Sequence, residues 1–476
     1  MILAIDIGTS VCKGALFLTN GALVKRHEVP LSIISFPDPL RQEADPREWI
    51  SAVREIIASF GPEKLSIEGI AVSGNGPTLL PVDGGGEPLH NALTWMDRRS
   101  IEEASRIGAY MGAFVDPSFY LPKALWFFTT HKEIYKLTRS FVSCPEFLIL
   151  AMTGEPSMVF PSTGYEAVIW SAEGIRAMGL DPDKFPRGVS PGDMVGTVSA
   201  RGSSLFGIGE GTPVFAGGPD FVMSLLGTGT VHPGRACDRS GTSEGVNLCS
   251  PTRISDRRLL CQGHVISGRF HISGIISTSG KSLAWLKAAS GREKVPYDEI
   301  TDDAGNSPPG AGGLIFLPYL TGERAPIWDP RARGAFIGLT LNHGFKDMAR
   351  AVMEAVGFAI LDVIRTMEEN GLSIDELRIT GSQAKSPLWN QIKADITGRR
   401  ILVPALKDSE LAGDLAVALK GMGLHPTLAE ASDAVAVIEK IYEPDPGNGK
   451  RYRRLFELYR ESYLRLKDIF HGLGEN

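Results

Sequence analysis

Gly-Thr-Ser stands twice in the chain, at 8–10 and at 241–243, and each copy sits in a turn between strand-like stretches. The first comes after "MILAID", where four apolar residues, Ile2 to Ile5, run straight into Asp6. The second lies inside "RSGTSEGVNL", with alternating patterns on both sides. A strand–turn–strand unit that restarts in the second half predicts two related domains, and 476 residues are too many for a single core in any case. Glycine concentrates in "GGPD" and "GTGTVHPG", so the boundary is expected around Asp220–Gly229, dividing the chain into 1–222 and 223–476.

The residues after the first turn limit the fold further. Ala15–Leu18 and Ala22–Val24 are apolar stretches joined by Thr19-Asn20-Gly21. Asn-Gly between apolar runs signals a hairpin, because both residues tolerate positive φ. The opening strand therefore gains an antiparallel neighbour instead of a crossover helix. That argues against a Rossmann domain, whose glycine-rich turn must open a helix.

Alternating strand and helix signals continue to the end. Asp45 caps a helix that starts at Pro46 and ends near Phe60, and "IEGIAVSG" reads as a strand. A helix starts near Ser100, and "PVFAGGPD" is a strand that ends on glycines and an acid. In "DMARAVMEAVGFAILDVIRTMEEN", Val352, Val356, Ile360, Val363, Ile364 and Met367 form one helical stripe, with Gly371 expected as its C-cap. "ELRITGSQAKSPLWNQIKADITG" reads strand, loop, helix, with Ser386 capping and Gly398 stopping the helix. The last helix carries Tyr452, Phe456, Tyr459, Tyr463, Leu466 and Phe470 on one face, and packing on the second domain is expected.

A net charge of −6 argues against a nucleic-acid partner held on a basic face. The five cysteines form no CxxC pair and have no histidine at ligand spacing, which suits buried free thiols in a reducing compartment. "MILAI" is too short for a signal-peptide core, and no apolar run reaches the length of a membrane span. A cytoplasmic location and no membrane partner are expected.

Tight turns with adjacent hydroxyls suit phosphate, although a single Gly-Thr-Ser is more often a plain turn. Asp6 beside such a turn would repel phosphate unless a cation lay between them. Mg²⁺, held by one or two carboxylates, waters and substrate phosphates, resolves the conflict.

From "DIGTS" through "TWMDRR", "GGPD" and the second "GTS" to "LTGERAPIWDPRARGAFIGL", "RAVMEAVGFAI" and "GSQAKSPLWNQIKAD", the chain resembles the FGGY carbohydrate kinases, and among them the xylulokinase branch. The resemblance implies an α/β fold of two actin/hexokinase-like (ribonuclease H-like) domains, each on a five-stranded sheet, with a deep interdomain cleft. It implies ATP and Mg²⁺, and a sugar or polyol phosphorylated at a hydroxyl. It leaves room for a homodimer, for which no segment argues.

Residue by residue, the resemblance makes Asp6 the Mg²⁺-linked acid, and Gly8, Thr9 and Ser10 the first phosphate loop, followed by Lys13. Gly241 and Thr242 match the second phosphate loop, Gly280 a glycine by the nucleotide, and Gly381, Ser382, Gln383 and Ala384 a loop against adenosine. Trp95, Asp97 and Arg98 fall on the sugar side, and Asp220 matches the catalytic base, which also touches the sugar. Glu323, Arg324 and Asp329 are read as shaping a proline-rich loop. The chain departs from the xylulokinase pattern at "SGNGPTLL", where Gln-Met-His-Gly is usual. Asn75, with donor and acceptor both, is expected to meet a substrate hydroxyl in a roomier pocket. An actin-like ATP-binding protein working by conformational change, or a sugar-sensing regulator on a kinase scaffold, is the alternative reading.

Overall fold

The computed structural model describes residues 1–162 and 164–473. Two compact units divide the chain. One comprises Met1–Gly229, Gly263–Gly268 and Ser409–Val435; the other comprises Thr230–Gln262, Arg269–Asp408 and Ala436–Asn476.

Among the described residues, the main sheet of the first unit has six strands. Their order is Met194–Thr197, Pro213–Pro219, Gly69–Gly74, Ile2–Ile7, Val11–Phe17, Leu23–Pro30. Ile2–Ile7 pairs antiparallel with Val11–Phe17 and parallel with Gly69–Gly74, which is parallel to Pro213–Pro219. The hairpin expected at Asn20-Gly21 is present, with Val11–Phe17 antiparallel to Leu23–Pro30.

The second unit repeats this plan. Its sheet runs Leu260–Gly263, Phe270–Ile276, Glu244–Ser250, Arg235–Ser240, Glu376–Gly381, Arg400–Pro404, Ile438–Tyr442. Arg235–Ser240 occupies the place of Ile2–Ile7, antiparallel to the strand after it and parallel to a strand far along the chain. Each sheet thus has a common five-stranded centre. The first adds one edge strand and the second adds two, so the expectation of five strands holds only for the shared part.

Every residue of Ile2–Ile7 is buried. Alternation sends Leu3, Ile5 and Ile7 into a core with Trp49, Val53 and Ile56 of the helix Pro46–Ser59. Asp6 shares the other face with Ile2 and Ala4, and the helix Ser409–Gly421 packs against this strand. The compact units divide otherwise than at the expected 222/223 boundary. That boundary would cut the helix Asp220–Gly227, whereas the first unit runs on to Gly229. Ser409–Gly421 and Leu428–Val435, placed after that boundary in sequence, belong to the first compact unit. Close packing explains why these helices cross back. A Cβ on Gly413 would lie 2.1 Å from the Met223 carbonyl oxygen, and one on Gly227 would lie 1.9 Å from that of Ser409.

Local signals mostly match. Asp45 accepts from the Arg47 amide at the start of Pro46–Ser59, and Ser386 accepts from Trp389 at the start of Pro387–Thr397. The long helix Phe345–Glu369 closes on Asn370, with Gly371 one place beyond at φ +76°. The terminal helix Pro446–Leu473 buries Tyr452, Phe456, Tyr459, Tyr463 and Phe470 in the core of the second unit. All five cysteines are free thiols; Cys261 is half-buried and the others are buried. Among the described residues, no helix is long and apolar enough to cross a membrane.

The loop around Glu323 is built as a clasp. Glu323 and Asp329 exchange backbone hydrogen bonds at 2.9 Å, and Glu323 Oε1 accepts from the amides of Ser277 and Arg324. Asp329 accepts from Tyr463 and His471 of the terminal helix, both at 2.8 Å. Glu323 Oε2 is buried without a partner, and burial pushes the carboxyl up to about 7. The native state therefore holds a proton that the unfolded chain releases near pH 4.5, so this group's stabilisation is full below that pH and is lost as pH rises through about 7. Thermal unfolding from pH 5 to 8 should show wild type losing roughly 3 kcal/mol more than Glu323→Gln. Parallel curves for the two proteins would count against this.

Candidate active site

In the first unit, the carboxyl ends of three parallel strands carry the predicted groups. Asp6 is near the end of Ile2–Ile7, Asn75 comes directly after Gly69–Gly74, and Asp220 directly after Pro213–Pro219. This is the edge where open α/β sheets bind ligands. Sheet register sets Asp6 opposite Lys13 on one side and Ser73 on the other. The turn after Asp6 is closed by the Gly8 amide donating to Val11 O at 2.9 Å. Glycine is required there, since a Cβ would meet the same oxygen at 2.7 Å.

Asp6 is buried among charged side chains. Lys13 Nζ lies 4.0 Å from Asp6 Oδ2 and 3.8 Å from Glu410 Oε2. Ser73 Oγ donates to Asp414 Oδ2 at 2.7 Å and lies 3.5 Å from Asp6 Oδ1. Burial pushes Asp414 well above the usual carboxylate range, reinforced by the charges of Asp6 and Glu410. Lys13 thus faces the Asp6 and Glu410 carboxyls, while Asp414 is bonded to Ser73.

Asp220 opens the helix Asp220–Gly227, and its Oδ1 accepts from the Phe221 amide at 2.6 Å. Its charge raises the Tyr165 hydroxyl, after burial, and contributes with Glu146 and Asp6 to raising the buried Cys144 thiol. Asp220, Asp6, Tyr165 and Cys144 are therefore electrostatic neighbours.

Beside Asp220 lies a pocket of about 420 Å³, counting its solvent-facing space. It is lined by Asn75, Tyr120, Glu146, Tyr165 and Phe221 among others. The groups expected on the sugar side divide. Trp95 is 44% exposed and donates from Nε1 to Thr9 Oγ1 at 2.9 Å, which places it against the Gly8–Ser10 turn. Asp97 is fully buried, receiving hydrogen bonds from the Arg99 guanidinium and the Gln42 amide, so its carboxylate braces the fold and faces no open space. Arg98 pairs with Asp116 at 3.0 Å. Asn75 gives hydrogen bonds from its side-chain amide to the carbonyls of Ile7 and Gly8 and accepts from Thr78 at 2.6 Å. Its amide thus ties the Gly8–Ser10 turn to the neighbouring strand, while the residue lines the pocket.

The second unit brings its predicted residues together. Gly241 and Thr242 form the turn between Arg235–Ser240 and Glu244–Ser250. The Gly280 amide donates to Gly241 O at 3.0 Å, and that of Ser279 to Thr242 O at 3.1 Å. A Cβ on Gly280 would lie 2.6 Å from Gly241 O, and one on Gly381, at φ +87°, only 1.8 Å from Ser240 O. Ser382, Gln383 and Ala384 continue as a single 3₁₀ turn. Three backbone segments thus meet at one sheet edge, in contacts that leave no space for a side chain at Gly280 or Gly381.

Models of the FGGY family of carbohydrate kinases match the chain twice, the N-terminal domain over residues 1–227 and the C-terminal domain over 239–422. The chain belongs to this family. Such a kinase is a phosphotransferase that uses ATP. Xylulose kinase of Staphylococcus epidermidis is 28% identical, covering 98% of this chain and 97% of that protein. Gluconokinase of Bacillus subtilis is 27% identical, covering 99% and 98%. The crystal structure of ligand-bound xylulose kinase from Lactobacillus acidophilus superposes with a TM-score of 0.86 at 25% identity, covering 99% of each chain. The actin/hexokinase-like fold expected from the sequence is thereby established.

The kinase also has a support that sequence reasoning missed. Lys393, wholly buried, donates to Asp238 Oδ2 at 2.7 Å and to Glu244 Oε1. Ser279 donates to Glu244, and Gln383 Nε2 reaches Glu244 Oε2 at 3.1 Å and Ser279 Oγ at 2.6 Å. One buried ammonium thus underlies all three segments of the second-unit edge. Glu244 directly after Gly-Thr-Ser, and a lysine amid apolar neighbours in "WNQIKADI", were the available signals.

Proposed function

We propose that this kinase transfers the γ-phosphoryl group of ATP to a hydroxyl of a ketose, aldonate or related polyol, with Asp220 as general base. The observation that carries the reading is the position of Asp220, at a parallel-strand end and flanked by Pro219 and Phe221 of the pocket wall. Phosphoryl transfer depends mainly on positioning and charge stabilisation. Asp220 would accept the proton of the attacking hydroxyl, and the hydrogen bond it receives from Phe221 N orients the carboxylate for that task. The amides of the Gly8–Ser10 turn suit phosphate oxygens, and Gly241, Thr242, Gly280 and Gly381–Ala384 suit close backbone approach to the nucleotide.

Asp6 fits a role beside Mg²⁺. It is a carboxylate at the mouth of a phosphate turn, with Lys13 balancing the neighbouring acids. A single carboxylate at such a turn is the donor set of an ion that takes one carboxylate, waters and substrate phosphates. When bound, the ion supplies charge neutralisation at the phosphates. Asp6→Asn is expected to raise the Mg²⁺ concentration for half-maximal activity about tenfold or more. An unchanged Mg²⁺ titration would remove Asp6 from this role.

The names of the relatives extend the reading to ketoses and sugar acids. Measuring ADP release with a panel of ketoses, polyols and aldonates tests it. Strong stimulation by one class is expected. Release that no member of the panel stimulates would favour a regulator or a conformational ATPase.

A further inference from the structure

The pocket beside Asp220 has walls unlike those a polyhydroxylated chain needs. Tyr120, Met158, Tyr165, Val168, Ile169 and Phe221 line it, and the rings of Tyr165 and Phe221 stack with centroids 6.3 Å apart. Three prolines, Pro77, Pro145 and Pro219, add walls without an N–H.

Four of the polar side chains in the lining, those of Asn75, Ser143, Glu146 and Tyr120, already have partners within the protein. The Asn75 side-chain amide donates to two main-chain carbonyls. Ser143 donates to Glu146, whose other oxygen accepts from the Val159 amide at 3.0 Å. Both Glu146 oxygens are thus occupied within the protein, and burial raises its carboxyl. The Tyr120 hydroxyl engages Ser143 and lies beneath Gly76, where a Cβ would meet it at 2.7 Å.

From this lining we infer that the acceptor carries a deoxygenated end, a methyl or methylene carbon of a deoxy or alkyl-branched sugar, which fills the aromatic pocket while a hydroxyl elsewhere on the same molecule meets Asp220. The inference rests on the kinase reading above. A hydroxyl placed against the apolar side chains of this wall would leave water for groups that offer no hydrogen bond, and its Asn75, Ser143 and Glu146 groups are already bonded, whereas a methyl group would lose nothing. Discrimination in apolar pockets runs to about 10–100-fold.

The test compares kcat/KM of the full chain for matched pairs, xylulose against 1-deoxyxylulose and 5-deoxyxylulose, and a hexulose against its 1-deoxy and 6-deoxy forms. A deoxy member is expected to exceed its parent by tenfold or more. Val168→Thr, an isosteric change in a half-buried wall residue, should reduce that ratio several-fold without altering the melting temperature. If parents are used as well as or better than every deoxy analogue, the inference is overturned and the kinase stands. If calorimetry shows sugars bound but no sugar of either kind is phosphorylated, the kinase reading fails and the inference with it.

Discussion

Asp220→Asn is expected to bind ATP and sugar nearly as wild type does and to lose about two to four orders of magnitude in kcat, the usual range for removing a general base. The amide keeps the size of the side chain, and its oxygen can still accept from the Phe221 amide at the head of the helix Asp220–Gly227. It cannot take the proton of the attacking hydroxyl. Steady-state kinetics with calorimetric sugar binding separates the two effects. A variant with wild-type kcat would show that Asp220 is not the base. A variant with lost binding and unchanged kcat would make it a ligand only.

Lys393→Met should have the second large effect. Lys393 lies between two buried carboxylates. Asp238 is raised by burial and by Glu244, while Glu244 is held low against the Lys393 ammonium. The arrangement is one neutral acid and one tight ion pair. Removing the cation leaves Glu244 buried without its counter-charge, and breaking buried pairs in this way costs about 3–5 kcal/mol. Glu244 also receives Ser279 and Gln383, so the loosening reaches the turns at Gly241, Gly280 and Gly381. A lower melting temperature together with at least tenfold weaker nucleotide binding is expected. Adding Glu244→Gln should restore part of the stability, because it removes the orphaned charge. A stable single variant with normal nucleotide affinity would show that the network does not support the site.

The duplicated architecture was legible in the sequence because its signals are local. Asn20-Gly21 specifies a hairpin, Asp45 and Ser386 cap helices through their own turns, and the aromatic stripe of the last helix has a 3.6-residue period. The helix Ser409–Gly421 was not legible. Leu411 through Leu419 are all buried, so the helix has no polar face to show which side meets a partner, and its membership in the first unit depends on contacts with Met223 and Ser73 far away in sequence. The sites divide in the same way. Backbone turns at Gly8 and Gly241 could be placed from composition and spacing, but the direction of an individual side chain could not. Asn75 and Asp97 have chemistry that suits a sugar, and both are engaged by the protein itself through residues such as Thr78, Gln42 and Arg99. Glu244 and Lys393 are 149 positions apart, and no local pattern records such a pair.

Phosphorus NMR of the chain with Mg²⁺-ATP and a responsive sugar tests the central claim most directly. A new phosphate monoester resonance growing in step with ADP, and nearly absent with Asp220→Asn, is the predicted result. ADP appearing with inorganic phosphate alone, at one rate with or without sugar and for both proteins, would contradict a carbohydrate kinase that works through Asp220.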